Sequence, residues 1–544
     1  MSVLLNEAHR SAVTRRRRVI VNFDVTFWIN VHYRNHGGVA DVDSFVNQLF
    51  DFADDKESQI DSIWWNWGEG NQAPYLSDQL PLYEHPLYQG WVKDGIDIVG
   101  LVLDATRRRG IEVFFSHRMN GSDNDLGPFA VIPHKVTHRD LTFRTPWCTH
   151  ENNSYWDFSH SEVHEYVLDN LREVAERWDF DGFELDFARA GACFPQGTAW
   201  QHRDRMTEFM RKMREMLARV GEARGRPILL ATRVPENLVG SHFDGLDVEM
   251  WTQERLVDLL VLGVRSFDVD LIDFRRIVKG RDVKLYPSLD DHHASDGYQN
   301  PGIEVFRGVA STWYHDGADG VHTFNFNFAE NMPYGGQDWE SHLQAYREIG
   351  DCDTIRGKDK RFVVQRRGGG HGPSVVPNPE DWFTPRHAYA NTNMLAQLPA
   401  VLDLDGRADT LITLRIGDDF REASLINLRV LLSDPEAVTL TNDQRLPAVE
   451  IATIGHAGGL MNEPPAPQIA QQLWVRINNF LLQSWHLVDG WLVYDVNPAA
   501  VAIGDNLVGL RIEGRGAGLA PVSVEKLELL IRYDDQKRLP PTGG

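Results

Sequence analysis

Phe180-Asp-Gly-Phe-Glu-Leu-Asp-Phe-Ala-Arg189 is the stretch that decides the reading of this 544-residue chain. Along an extended strand, side chains alternate between two faces, so Phe183, Leu185 and Phe187 point one way and Glu184 and Asp186 the other. Buried parallel strands are ordinarily apolar on both faces. A strand that gives two positions of one face to acids is either part of a salt-bridge network or part of a reaction site, because a buried carboxylate without a partner is heavily penalised.

The same texture continues on both sides. Between Arg18 and about Gly350, β-rich runs alternate with helical periodicity, and the strand segments are RVIVNFD, QIDSIWWNW, IEVFFSHRMN, FDGFELDFAR, PILLATRVP, LLVLGVRSFD, VKLYPSLDD and GVHTFNFNF. Helical spacing predicts helices over Val42–Asp54, Asp94–Arg109, Ser161–Trp178, Ala199–Arg224, Leu246–Leu256, Ile272–Val278 and Ile303–Tyr314. Eight strand-then-helix repeats predict an α/β fold, the (β/α)8 barrel. The rival, an open doubly wound sheet, would want a glycine-rich phosphate loop after its first strand, and VNFDVTFWIN offers none.

Beyond Gly350 the helical period stops. Short alternating runs such as TLITLRI, QLWVRINNFLL and SVEKLELLIRY, punctuated by Gly, Pro and Asp, predict a β-sandwich. Residues 1–18 read as an N-terminal extension in which Arg15 to Arg18 form a solvated charge run. Residues 19–352 read as a catalytic barrel and 353–544 as a C-terminal β-sandwich. The phrase from Val493 to Leu507, followed by VGLRIEG, resembles the jelly-roll modules appended to many glycosidases.

With 78 acidic against 55 basic residues, the net charge of −23 disfavours nucleic-acid and anionic-membrane partners and suits a neutral ligand. No run approaches the roughly 20 apolar residues of a membrane helix, and MSVLLNEAHRSAVTRRRR lacks the order of a signal peptide. The three widely spaced cysteines favour a reducing compartment, so a cytoplasmic location is expected. The 21 histidines show neither HxH nor HExxH spacing, and no GxSxG elbow is present, so no cofactor and no catalytic metal are expected. Self-association is left open.

Barrel enzymes place their chemistry at the C-terminal ends of the strands. Read by parity, strand one sends Asn22 and Asp24 inward, strand three Ser116, Arg118 and Asn120, and strand four Glu184 and Asp186. Strand five offers Arg233, with Glu236 just beyond it, and strand six Arg265. Strand seven offers Tyr286, Ser288 and Asp290, with His292 following. Strand eight offers Thr323, Asn325 and Asn327, with Phe324, Phe326 and Phe328 against the helices. Aromatic residues cluster where a sugar face could stack, Trp64, Trp65 and Trp67 on strand two, Tyr155 and Trp156 before the third helix, and Trp251, and alternation points only some of them inward. The bland reading is an ion-pair cage in which Arg118, Arg233 and Arg265 neutralise Asp24, Glu184, Asp186 and Asp290.

The fourth-strand motif resembles the Gly-Phe-x-x-Asp-x-x-Lys/Arg motif of α-amylase-like barrels and the DG-x-x-LD form of bacterial glycosyl-hydrolase-like barrels. The resemblance implies that Asp186 is the nucleophile or cation stabiliser and that Glu236, at the end of strand five, is the proton donor. It also sets Asp290-Asp291-His292-His293 at the strand-seven position, with a spacing that departs from the amylase pattern. Cleaving a glycosidic bond needs such an anion against the sugar carbon and a protonated carboxyl at the leaving oxygen. Glu184, one rung deeper, would orient Asp186, hydrogen-bond a sugar hydroxyl through an intervening arginine, or be purely structural; were Glu236 a loop acid, Glu249 or Asp290 would take its place. Asp24, Trp64, Trp67, Arg118, Asn120, Arg233, Arg265, Asp290, His292 and Asn325 are the expected carbohydrate contacts. A non-catalytic carbohydrate-binding barrel, and a carbohydrate lyase or metal-dependent hydrolase, are the rival readings.

Overall fold

In the computed structural model, the described residues are 6–35, 41–68, 70–120, 133–145, 154–189, 192–263, 266–290, 298, 301–324, 326, 339–365, 395–403, 405–434, 467–488, 490–516 and 518–533. Eight parallel strands close into a barrel: β1 Val19–Asp24, β2 Ile60–Asn66, β3 Glu112–Arg118, β4 Gly182–Asp186, β5 Leu229–Val234, β6 Leu259–Leu262, β7 Lys284–Leu289 and β8 Val321–Phe324. They are the eight segments that the sequence pattern marks out. β8 closes on β1 through the pairs Val19↔Val321 to Asn22↔Phe324.

The helices around the barrel include Ile98–Arg108, Ser161–Arg177, Arg203–Arg224, Leu271–Val278 and Ile303–His315. Acidic and amide side chains start several of them: Asp97 accepts from Gly100 N at 3.0 Å and Asn237 from Gly240 N at 2.6 Å, satisfying end groups that the helix itself leaves open. The expected helix over Val42–Asp54 stops at Gln48, where the chain tightens into turns such as Phe50 N to Asn47 O. Helices at Val25–Asn35, Pro86–Lys93 and Leu238–Phe243 are additional to those expected.

A small apolar core fills the lower barrel: Ile20, Trp64, Phe114, Leu229, Ala231, Leu259, Val261 and Tyr286, joined by Val13. Gly182 is part of this fit, because a Cβ there would meet the Phe114 ring at 2.4 Å. Val13 belongs to a helix, Glu7–Thr14, that plugs the N-terminal end of the barrel. His9 Nε2 on this helix lies 2.8 Å from Asp258 Oδ1, and Arg214 Nη2 donates to Asp258 Oδ2 at 2.8 Å. The solvated charge run is corrected at Arg17, which is fully buried. Its Nε and Nη2 donate to the two Glu112 oxygens at 2.7 Å each, and three backbone carbonyls take its remaining donors. Burying the guanidinium is tolerable because every donor is used.

The C-terminal part is two antiparallel sheets facing each other. One has the order 360–364, 523–533, 423–433, 491–495, 485–488, and the other 410–416, 504–512, 473–477, 480–482. Leu414, Leu428, Val475, Leu492, Val508 and Leu529 are among the side chains that fill the space between. Barrel and sheets meet backbone to backbone. A Cβ on Gly308 of helix Ile303–His315 would stand 2.3 Å from Arg361 O, and one on Gly417 2.3 Å from Thr312 Cα. Among the described residues no helix is long and apolar enough to cross a membrane.

Candidate active site

The strand register sorts inward side chains into two polar layers above the apolar floor. Arg118 stands beside Asp186 and Asp186 beside Arg233, while Ser116 stands beside Glu184 and Ser288 beside His322. The upper layer, at the C-terminal ends, is charged. Arg118 Nη2 donates to Asp24 Oδ2 at 2.7 Å, and Asp24 Oδ1 accepts from Thr26 N at 3.1 Å. Arg233 reaches two acids, with Nη1 at 3.5 Å from Asp186 Oδ2 and Nη2 at 3.9 Å from Asp290 Oδ2. Its Nε donates to Gly263 O at 3.2 Å, and its guanidinium lies 3.8 Å from the Phe324 ring centroid. Asp186 is fully buried, and its Oδ1 accepts from the backbone N–H groups of Ala188 and Arg189 at 2.9 Å each.

The layer below is polar, and burial there disfavours the charged forms of its titratable groups. Asn22 Nδ2 donates to Glu184 Oε2 at 2.6 Å and to Ser116 Oγ at 2.9 Å. His322 Nδ1 lies 2.9 Å from Ser288 Oγ, and its Nε2 lies 3.8 Å from Glu184 Oε1. Those last two atoms and Asn22 Oδ1 are buried and make no hydrogen bond to the protein. Burial, reinforced by Asp186, pushes the Glu184 carboxyl up to about 8. Burial, reinforced by Arg233, holds the His322 imidazole well below its ordinary range.

The parity expected for strand eight is corrected by this register. His322 and Phe324 face inward, with Phe324 paired beside inward-facing Asn22, and Thr323 faces out with its hydroxyl on Ile20 O at 3.3 Å. Phe326 does lie outward, against Phe306, His342 and Tyr346. Arg265, His292 and Asn325, with Asn327, lie outside the described residues.

Three expected sugar contacts are built into the scaffold instead. Trp64 is fully buried in the barrel floor, stacked on Phe114 at 4.9 Å, with its Nε1 donating to Ser62 Oγ. Trp67 lines a cavity of about 30 Å³ beside His117 and Asn170, room for water and too small for a sugar ring. Asn120 spends its amide on the backbone: Nδ2 donates to Trp156 O and Ala192 O, and Oδ1 accepts from Trp156 N. Trp251 is likewise core, donating to Thr207 Oγ1 at 3.1 Å. Glu236 sits buried just past β5, ahead of the Asn237 helix cap, and its carbonyl accepts from Asp270 N. Glu249 pairs with His242 at 2.9 Å.

Among the described residues, one group of acids, histidines or cysteines stands close enough to hold an ion: Asp351, Cys352 and Asp353, on the connection leaving the barrel and largely exposed. Phe324, expected against the helices, and His322 are inward-facing residues that the sequence pattern does not single out. Their signal was the parity of β8, which register alone resolves.

No family model matches the chain, and no curated protein matches it. Among solved structures, the glycoside hydrolase domain of PgaB (BpsB) from Bordetella bronchiseptica is similar at 12% identity and a TM-score of 0.40, covering 62% of this chain and 99% of that one. An α-amylase from Geobacillus thermoleovorans complexed with acarbose is similar at 13% identity and a TM-score of 0.37, covering 92% and 99%. A family 18 N-acetylglucosaminidase from Paenibacillus barengoltzii is similar at 11% identity and a TM-score of 0.34, covering 61% and 99%. Similarity this low carries no argument about chemistry. By its own strand order, the chain is a closed eight-stranded (β/α)8 barrel followed by antiparallel β-sheets.

Proposed function

We propose that the protein is a glycoside hydrolase in which Asp186 meets the developing positive charge on the sugar carbon and Glu236 hands a proton to the leaving oxygen. The observation that supports this reading is the layering of the barrel. A ring of acids and guanidiniums at the strand ends stands over a buried polar layer in which burial pushes Glu184 up and His322 down. Asp186 stands above this layer, and Arg233 with two backbone N–H groups fixes its direction. Oriented groups of this kind cost no reorganisation when charge develops in the transition state.

One observation favours a second reading, a non-catalytic carbohydrate-binding barrel. Asp186 is buried, with one oxygen on two N–H groups and the other facing Arg233. A screen of oligosaccharides and aryl glycosides separates the two. A glycosidase cleaves at least one member and loses that cleavage in Asp186→Asn and Glu236→Gln. No cleavage, with ligand affinity kept in Asp186→Asn, replaces the enzyme with the binder.

A further inference from the structure

We infer that the C-terminal domain holds the two barrel-mouth loops flanking Arg233's partners in place, through Gln365 on the loop after β6 and through Glu528 and Lys526 on the loop after β7. Gln365 follows directly on strand 360–364 and is buried. Its Oε1 accepts from Ser266 Oγ at 2.8 Å, Phe267 N at 2.7 Å and Asp268 N at 3.1 Å, so one side-chain oxygen gathers three donors of the β6 loop. In the connection after β7, Tyr298 Oη donates to Glu528 Oε1 at 2.9 Å, and Lys526 Nζ lies 4.7 Å from the Tyr298 ring centroid. The two loops also touch, with the Phe267 and Tyr298 rings 6.3 Å apart.

The strand that carries these residues shows why this is a built contact. In 523–533, Leu527, Leu529 and Ile531 face the sandwich core, whereas Lys526 and Glu528 lie on the opposite face and are nevertheless buried. A carboxylate is tolerated there because Arg429 Nη1 donates to Glu528 Oε2 at 2.8 Å and Arg361 stands at 3.7 Å. That arrangement leaves the other oxygen fixed toward Tyr298.

The contacts lead to the site by short steps. The β6 loop begins at Gly263, whose carbonyl accepts from Arg233 Nε, and the β7 connection begins at Asp290, which faces Arg233 Nη2. Arg233 in turn faces Asp186. Gln365, Glu528 and Lys526 therefore act on the charged layer through other groups, as positioning residues, without touching substrate.

Hydrogen exchange on the full-length chain tests this independently of any substrate. Gln365→Ala should speed exchange of amides in 259–268 by about five- to tenfold, the scale of one lost buried hydrogen-bond acceptor. Gln365→Glu, which keeps the oxygen, should restore it. Tyr298→Phe should speed exchange in 285–290, and strands β1 to β4 should be unaffected in every variant. Unchanged exchange in both loops, or a rise spread evenly over barrel and sheets, overturns the inference. A kinetic arm rests on the glycosidase reading: on any glycoside that the wild type cleaves, Gln365→Ala should lower kcat with Gln365→Glu rescuing it. Wild type that cleaves nothing counts against the glycosidase reading and leaves the exchange result to stand alone.

Discussion

Both ends of the barrel bury a tight ion pair, Arg17–Glu112 at one and Arg118–Asp24 at the other, but around Arg233 the C-terminal end is looser. At the N-terminal end, Arg17 and Glu112 meet through two hydrogen bonds of 2.7 Å, and Asp258 is held by His9, Arg214 and the Leu230 N–H. At the C-terminal end, Arg233 faces its two acids only at 3.5 and 3.9 Å, and Glu184, His322 and Asn22 each keep a buried atom that bonds nothing in the protein. Saturated pairs fix a fold and have nothing left to offer a ligand. The looser set keeps buried polar atoms that the protein itself does not use.

The largest test of this contrast is Asp186→Asn, which should lower kcat on a cleaved glycoside by about a thousandfold or more while far-UV circular dichroism stays unchanged. The counterpart at the other end is Arg17→Met. It leaves Glu112 a buried acid whose remaining partners are the Ser62 hydroxyl at 2.8 Å and Arg15 at 3.9 Å, and should cost about 3–5 kcal/mol in urea unfolding, with turnover of the folded fraction intact. If Arg17→Met abolishes turnover in folded protein, or Asp186→Asn leaves it untouched, the division between the ends fails.

The pH dependence of stability sharpens the comparison further. Glu184 in the native state titrates near 8 against an ordinary value of 4.5, so between these pH values the native state holds a proton that the unfolded chain has released. Its contribution to stability is therefore full below about pH 4.5, falls as pH rises toward 8, and then levels off. Glu184→Gln should remove that slope, a difference on the order of a few kcal/mol across the window, read as the gap between the two urea-midpoint curves. His117 runs the other way. Burial pushes its imidazole down to about 4, so stability attributable to it is lost as pH falls from 6.5 toward 4, and His117→Gln should flatten that acid limb. The smallest effect is expected at Asn120→Ala, which unties the Trp156 and Ala192 backbone for about 1–3 kcal/mol without a change in pH profile.

All eight barrel strands were legible because each is a short β-rich run bounded by turn residues, and the sheets after Gly350 because alternation there has one wet face. The inward acids of β1, β4 and β7 and the arginines of β3 and β5 followed from parity. Parity failed at β8, where Val321 to Phe324 are buried on both faces: alternation then says that two sets exist but not which is inside. Here the phenyl ring of Phe324 takes the inner place because it covers the Arg233 guanidinium. Arg17 was invisible for a different reason. Its neighbours are identical residues, and only the meeting of the N-terminal helix with Glu112 on β3 singles it out. Trp64, Trp67 and Asn120 show that residue type at a strand end cannot separate a platform for ligand from a strut, since both roles want a large or amide side chain.

The glycines at 308 and 417 carry a practical consequence. Where two main chains touch, no side-chain layer exists to slide, shrink or be resurfaced, so the seam between barrel and sheets cannot be cut as one cuts a linker. A barrel expressed without its partner sheets would bare the peptide groups of helix Ile303–His315 along with the apolar surface around them, and would be recovered as aggregate.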